Sequence, residues 1–110
     1  MSRKTIGNVG ETLAKTVLEY KGYCILETNF KCKAGEIDII AKKGSLITFV
    51  EVKTRLTDAY GLGREAVDAN KQKHIRRTAE YYLLINKKEY EMYDFQVIEI
   101  SVAHLDGLQF

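Results

Sequence analysis

Two runs of apolar and β-branched residues between Gly35 and Arg55 constrain the fold of this chain more than any other part of its sequence. The first run is GEIDIIA at residues 35–41, the second is LITFVEVK at residues 46–53, and a short segment containing a glycine joins them. Such runs favour β-strands, and the glycine favours a tight turn. The sequence therefore predicts a β-hairpin with charged residues set into two largely apolar strands.

The turn decides which side chains of this hairpin meet. A two-residue turn at residues 44–45 sets Asp38 opposite Glu51, whereas a turn one residue earlier leaves Glu51 on the diagonal from Asp38. Either turn places Asp38, Glu51 and Lys53 on one face, because side chains alternate along a strand. The other face is then predicted to hold Ile37, Ile39, Val50 and Val52.

Two carboxylates opposed across a hairpin point to a bound cation. Opposed residues have Cβ atoms roughly 5 Å apart, so their like charges repel unless a positive charge lies between them. Asp38 also lies between two isoleucines, where a carboxylate is costly to desolvate unless it is paired or bound to metal. Mg²⁺ suits this arrangement, since it binds one or two carboxylates together with waters and phosphate oxygens. Lys53 then lies where an ammonium orients a water nucleophile or stabilises charge on a phosphate.

An edge hairpin with one wet face is the alternative. In that structure Asp38, Glu51 and Lys53 are solvated or form a cross-strand ion pair. The alternation places Ile47 and Phe49 on the same face as Glu51, so this face is apolar near the turn and charged only at its far end. That pattern is typical of a central strand whose tip opens into a cleft.

Helical and strand patterns alternate over the rest of the chain. The predicted elements are a helix at 5–21, strands at 23–29, 35–41 and 46–53, a helix at 65–86 that is broken or capped near 68–70, and a strand at 93–100. The first helix is predicted to bury Ile6, Val9, Leu13, Val17 and Tyr20, in a stripe widened by Ala14 and Leu18. Three strands followed by a helix and a further strand predict an α/β fold, a mixed sheet flanked by helices in the order α-β-β-β-α-β.

The hairpin motif resembles a known nuclease core. Asp38 on one strand, followed by Glu51-Val52-Lys53 on the next, is similar to the PD-(D/E)xK core of restriction endonucleases and archaeal Holliday-junction resolvases. Over almost its whole length the chain more closely resembles the YraN-type family of uncharacterised bacterial proteins. The motifs that carry this resemblance are Gly10-Glu11, Asn29-Phe30, GEID at 35–38, FVEVKTR at 49–55, Ala66-Val67 and Lys71. Gln96 departs from the family, whose members usually carry an acid there.

This resemblance implies a restriction-endonuclease-like fold and a metal-dependent endonuclease or phosphodiesterase activity on DNA. The hypothesis that joins it to the hairpin assigns catalytic roles to Asp38, Glu51, Lys53, Glu11 and Gln72, and makes Asp38, Glu51 and the carbonyl of Val52 the ligands of Mg²⁺ or Mn²⁺. Two interpretations of Glu11 stay open. It supports the metal site, or it forms a capping box with Asn8 or faces water in the first helix.

Basic side chains near the predicted site are candidates for contacts with a phosphate backbone. Stepping back from Ile75 places Lys71 and Gln72 on the buried stripe of the second helix, where they can hold a phosphate or a water. The predicted nucleic-acid-binding residues are Lys31, Lys33, Arg55, Arg64, Lys71, Lys73, Arg76 and Arg77. Such contacts predict little sequence specificity and binding that weakens steeply with salt. The alternative is a solvated helix face, and the loop at 56–64 is either a substrate contact or an ordinary connector.

Length and composition bound the classes of function. At 110 residues the chain is predicted to be a single nuclease-like domain. A net charge of +2 is too small to indicate nucleic-acid binding by itself, so that prediction depends on where the basic residues lie. The sequence has no apolar run long enough for a membrane span and no signal-peptide core, so we predict a cytoplasmic protein without a membrane partner. Cys24 and Cys32 are then reduced thiols, and both histidines are predicted to be structural.

The sequence thus predicts a DNA nuclease of low sequence specificity, with branched or structured DNA as a candidate substrate and a homodimer by analogy with the resolvases. Two other functions stay open. A nucleic-acid-binding module that keeps the scaffold without turnover is favoured by the small net charge and by Gln96. A small protein-interaction domain would use the charged hairpin only as an ion-pair network.

Overall fold

Two helices and four strands make up the part of the chain that the computed structural model describes, which is residues 3–57, 67–88 and 91–103. Helix α1 is followed by three strands, helix α2 and a last strand. Their bounds are α1 Arg3–Tyr20, β1 Cys24–Cys32, β2 Gly35–Lys43, β3 Leu46–Thr57, α2 Ala69–Ile85 and β4 Met92–Ala103. This confirms the predicted order α-β-β-β-α-β.

The four strands form one mixed sheet with a helix on each face. The strand order is β1-β2-β3-β4, in which β1, β2 and β3 pair antiparallel and β4 pairs parallel with β3. Since a parallel neighbour needs a crossover, α2 makes the connection from β3 to β4. One apolar cluster joins α2 to the sheet and a second joins α1 to it. The prediction of a mixed sheet flanked by helices is therefore confirmed.

Helix α1 packs on the sheet through its small residues. Gly10, Ala14 and Leu18, spaced four apart, are buried against the sheet. The apolar residues that remain exposed are Val9, Leu13, Val17 and Tyr20, the last at 91%. The predicted buried stripe was therefore wrong for these four residues. The physical reason is close approach: a Cβ built on Gly10 would lie 1.8 Å from Thr54 Oγ1, so only glycine lets the helix dock this way.

The hairpin of β2 and β3 has the first of the two predicted registers. Lys43 pairs with Leu46, and Gly44 has a φ of +59°, which places the two-residue turn at residues 44–45. The ladder continues as far as Ile39 opposite Val50. It ends one position before Asp38 would meet Glu51.

The alternation of side chains is broken at Asp38. Ile39 belongs to the cluster under α1, whereas Ile37 belongs with Phe49 to the cluster under α2. The prediction that Ile37 and Ile39 share a face was therefore wrong. The cause lies in β1, where Asn29, between the partners of Ile39 and Ile37, has a φ of +53°. A left-handed residue interrupts the regular pleat, so both strands change face at this position.

Strand β3 and helix α2 differ from their predicted bounds at one end each. Strand β3 continues through Thr57, so its last two residues lie in what was predicted to be a loop. Helix α2 begins at Ala69 rather than at residue 65, and the predicted cap near 68–70 is confirmed, because the Asp68 side chain accepts a hydrogen bond from the Lys71 N–H. The rest of the predicted loop, with Arg64, lies outside the described residues. Neither described helix has the length and apolar character needed to cross a membrane.

Two glycines of α1 allow a matched test of this packing. We expect Gly10→Ala to lower the free energy of unfolding by about 1–3 kcal/mol, because the new methyl group clashes with Thr54. Gly7→Ala meets no atom within 4 Å and should instead stabilise the helix by about 0.5–1 kcal/mol. Urea denaturation of the two variants and the double variant Gly10→Ala/Thr54→Ala measures this. The double variant should recover only part of the loss, because the Thr54 Cβ atom still lies 2.8 Å from the new methyl group. Equal effects of the two single substitutions would contradict the close approach.

Candidate functional site

A cleft of about 450 Å³ opens between the start of β2 and the start of α2. The described residues that line it are Ala34, Gly35, Glu36, Asp38, Glu51, Lys71, His74 and Ile75. The cleft brings together the two acids of the predicted metal site and one lysine from α2. The local cause is the end of the β2–β3 ladder, because the strands no longer exchange backbone hydrogen bonds where the acids lie.

Asp38 is held in the sheet by one backbone hydrogen bond. Its Oδ2 atom accepts from the Val52 N–H at 2.7 Å, so a side chain replaces the strand partner that β2 would otherwise supply. The pKa of Asp38 is raised to about 7, chiefly by burial. The hydrogen bond from Val52 opposes this rise, while the charges of Glu51 and Glu11 and a hydrogen bond with Glu51 add to it. The carboxyl is therefore poised to change its charge near neutral pH.

Glu51 carries the ionic contact of the cleft. Its side chain is only 11% exposed, and its Oε1 atom lies 2.5 Å from Lys71 Nζ. The pKa of Lys71 is raised, first by the hydrogen bond with Glu51 and then, against the cost of burial, by the charges of Glu51, Asp38 and Asp68. The lysine therefore stays an ammonium and balances part of the negative charge of the two acids.

Glu11 reaches the site from the other helix. It is half-buried on α1, and its charge contributes to the raised pKa of Asp38. The alternative of a capping box with Asn8 was wrong, because α1 begins at Arg3 and Asn8 lies inside the helix. Glu11 thus stands among the charges that act on Asp38.

Gln72 and Lys71 do not continue a buried stripe as predicted. Both residues are exposed. The Gln72 Nε2 group donates to the Val67 carbonyl at 2.8 Å, so it holds the chain that leads into α2. Lys71 nevertheless reaches Glu51, since its long side chain spans the gap.

The roles predicted for Lys53 and for the Val52 carbonyl stay predictions. Lys53 is half-buried two residues beyond Glu51 and pairs in register with Glu99 on β4. It is not among the described residues that line the cleft. Lys71 is a cation in contact with a cleft acid, Glu51, and was predicted to hold a phosphate or a water and to bind nucleic acid.

The donor set fits a hard divalent cation. Within residues 3–57, 67–88 and 91–103, no three His, Cys, Asp or Glu side chains form a group that could hold a metal ion. Zinc, which takes four protein ligands in structural sites and three in catalytic ones, is therefore a poor match. Mg²⁺ and Mn²⁺ accept two carboxylates plus waters and substrate oxygens, which is what Asp38 and Glu51 offer.

The predicted nucleic-acid-binding residues divide into three groups. Those with exposed positions are Lys31, Lys33, Lys71, Lys73, Arg76 and Arg77. Arg55 is different, since its side chain is only 18% exposed and its Nε atom lies 3.6 Å from Glu99 Oε1. Arg64 lies outside the described residues.

His74, which was predicted to be structural or incidental, lies at the candidate site. It lines the acidic cleft, and its Nδ1 atom lies 3.0 Å from the Ala34 carbonyl. The signal was available in the sequence, because Lys71, His74 and Ile75 follow helical spacing before the buried Thr78. That spacing places His74 on the same face of the helix as Lys71, which was predicted to bind a phosphate.

Comparisons with known proteins agree on one family. The sequence model described as Uncharacterised protein family UPF0102 matches residues 10–100. A UPF0102 protein of Caldanaerobacter subterraneus subsp. tengcongensis is 50% identical over 101 residues, which cover 91% of this chain and 82% of the relative. A UPF0102 protein of Clostridium perfringens is 49% identical over 108 residues, which cover 97% of this chain and 87% of the relative. These matches confirm the resemblance to the YraN-type family.

Because the pKa of Asp38 is raised, the free energy of unfolding is predicted to fall as the pH rises. Because the folded state holds this proton more tightly than the unfolded state does, stability falls as pH rises from about 4 to about 7. Asp38→Asn removes the charge and should raise the melting temperature at pH 8 relative to the wild type. Solvent screening limits the effect to the order of 1 kcal/mol, or about 4 °C. Thermal melts at pH 4.5 and pH 8 measure it.

The matched control is Glu36→Gln, an exposed acid on the same strand. It should change the melting temperature little at either pH, because water already solvates its charge. If Asp38→Asn changed the melting temperature by the same amount at both pH values, the result would contradict a half-buried acid that titrates near neutrality.

Proposed function

This chain belongs to the UPF0102 family, and we propose that it is a metal-dependent nuclease that cleaves the phosphodiester backbone of DNA with little sequence specificity. The observation that carries the proposal is the convergence of Asp38 and Glu51 in one cleft, where their repulsion helps to raise the pKa of Asp38. Two carboxylates forced together in this way are stabilised when a divalent cation binds them both.

In this proposal the two cleft acids and three residues outside the cleft lining have separate chemical roles. Asp38 and Glu51 supply carboxylate oxygens for Mg²⁺ or Mn²⁺, and the Val52 carbonyl is the third candidate ligand. When bound, the cation lowers the pKa of a coordinated water and neutralises charge on the scissile phosphate. Lys53 orients the attacking water or stabilises the charge that develops on the phosphate. Glu11 adds negative charge that strengthens cation binding.

Lys71 has a double role in this proposal. Its ammonium pairs with Glu51, so it lies next to a carboxylate that the proposal assigns to a metal cation. With a divalent cation held by Asp38 and Glu51, the Lys71 ammonium would be available to a substrate phosphate. Exposed residues of α2, Lys73 and Arg77 among them, extend this positive surface along the backbone of the nucleic acid.

A non-catalytic nucleic-acid-binding module is the second candidate. The observation that favours it is Gln96, an amide at a position where the resemblance implies an acid. Gln96 is half-buried and its Nε2 atom lies 3.5 Å from Asp94 Oδ2. A chain that had lost a ligand in this way would still bind DNA through its basic residues. The homodimer suggested by the resolvases stays a prediction for either candidate.

Cleavage of linear, flapped and four-way-junction DNA with Mn²⁺ tests the nuclease directly. We expect Asp38→Ala to lower the rate at least about a hundredfold, since it removes a metal ligand, and Lys53→Ala to lower it by a similar factor. The control is Lys21→Ala, an exposed lysine after α1, which should cleave like the wild type.

Equal residual cleavage by the wild type and Asp38→Ala would indicate a contaminating nuclease and remove the proposal. Binding of DNA that weakens with salt, without cleavage by any variant, would favour the non-catalytic module instead. Neither binding nor cleavage would leave the protein-interaction domain.

Mn²⁺ binding tests the role of Lys71 separately from cleavage. Because its ammonium competes with a cation for Glu51, we expect Lys71→Gln to tighten Mn²⁺ binding about three- to tenfold. Lys73→Gln, which changes the same charge two residues away on α2, should leave the affinity nearly unchanged. Titration calorimetry of both variants measures this. Weaker Mn²⁺ binding by Lys71→Gln would contradict the competition.

A further inference from the structure

A second pocket lies beside the acidic cleft, between α2 and β4. It has a volume of about 340 Å³, at the lower end of the range of about 300–1,000 Å³ for small-molecule sites. Glu51 and Ile75 line both the pocket and the cleft, so they form the wall between the two. A group bound in the pocket is therefore next to whatever the acids bind.

The floor of the pocket is aromatic. Phe49 is buried, and Phe95 stacks on it with the ring centroids 5.5 Å apart and the planes 29° from parallel. This stack fixes the Phe95 ring, which nevertheless remains 39% exposed. Val97, the next residue of β4 on this face, is exposed as well. A fixed, exposed ring next to aliphatic side chains is a surface on which a flat ring can stack.

The rim of the pocket is polar and has no acid besides Glu51 among its described lining residues. Gln72 lines it from α2 with an amide group, whereas Gln96 lines it from β4 with its amide turned to Asp94, on the other face of the strand from Phe95 and Val97. Arg76 also lines it, one helical turn after Gln72. Amides match the hydrogen-bonding edges of nucleobases, and a guanidinium stacks on their faces.

We propose that this pocket receives one unpaired nucleobase of a DNA strand. For the cleavage reaction, the inference depends on the proposed function, which puts the phosphate of that strand at Asp38 and Glu51. A base inside a duplex is already stacked and paired, so it cannot enter a side pocket without being extruded. The pocket therefore selects single-stranded nucleotides, such as those at flaps and branch points. Stacking accepts any base, which agrees with low sequence specificity.

Nuclear magnetic resonance titration tests the pocket without requiring cleavage. The two probes are thymidine 3′,5′-bisphosphate and its abasic tetrahydrofuran analogue, which carries the same phosphates without the base. We expect the base-bearing probe to shift the signals of Phe95, Val97 and Ile75 and to bind roughly tenfold more tightly than the abasic one. Phe95→Leu should abolish most of this difference, whereas Tyr20→Leu, at an exposed aromatic on α1, should preserve it.

Equal affinity for the two probes, or shifts confined to the cleft around Lys71, would overturn the inference and leave the proposed nuclease standing. No response to either probe would also overturn it, and so would pocket signals that move with protein concentration alone, which indicate a second copy in the pocket. Base-dependent shifts in a protein that cleaves no DNA would keep the pocket and remove the proposed activity. The comparison of the two probes with the wild type stands even if Phe95→Leu fails to fold.

Discussion

The hydrogen bond from the Val52 N–H to the Asp38 carboxylate is the contact on which the candidate site depends. In a regular hairpin the ladder would have run on and satisfied that N–H with backbone. Here the strands part after Ile39 and Val50, and a side chain satisfies the donor instead. A carboxylate becomes part of the sheet in this way, at the cost of partial burial beside Glu51. The site is therefore built from a break in regular structure, where strain and function are expected to coincide.

Helix α2 completes the site because the turn between β1 and β2 is fastened to it. The His74 ring contacts the Ala34 carbonyl, and a Cβ on Gly35 would lie 3.2 Å from Thr78 Oγ1, so the two elements pack closely. The Thr78 hydroxyl itself donates to the His74 carbonyl inside the helix. This packing fixes the distance between the acids on the sheet and Lys71 on the helix. A cleft with rigid walls orders its charges before a ligand arrives, which lowers the cost of binding.

Sequence patterns predicted what depends on neighbours along the chain and failed where distant segments meet. The hairpin register followed from the turn at Gly44, and it brings Asp38 and Glu51 to the point where the ladder ends. The face of Ile37 did not, because it depends on a left-handed Asn29 in another strand. The docking face of α1 was wrong for a similar reason. Hydrophobic spacing predicted that Leu13 and Val17 are buried against the sheet. The helix docks instead through the face that carries Gly10, because the space beside Thr54 has no room for a larger side chain.

Gln96 links the chemistry of the cleft to the recognition of a strand. It lies on β4, where it is the partner of Val50 on β3. The next residue of β4, Val97, is the partner of Glu51. An acid in place of Gln96 would add negative charge to the strand that lines the pocket, which Glu51 already borders. With a net charge of only +2, attraction of a polyanion by the proposed nuclease would depend on local charge rather than on its total charge. Under the proposed function, a neutral amide at this position would avoid repelling the phosphates that flank an unpaired base. The departure that weakens the analogy with acid-rich metal sites would therefore suit the proposed nucleotide pocket.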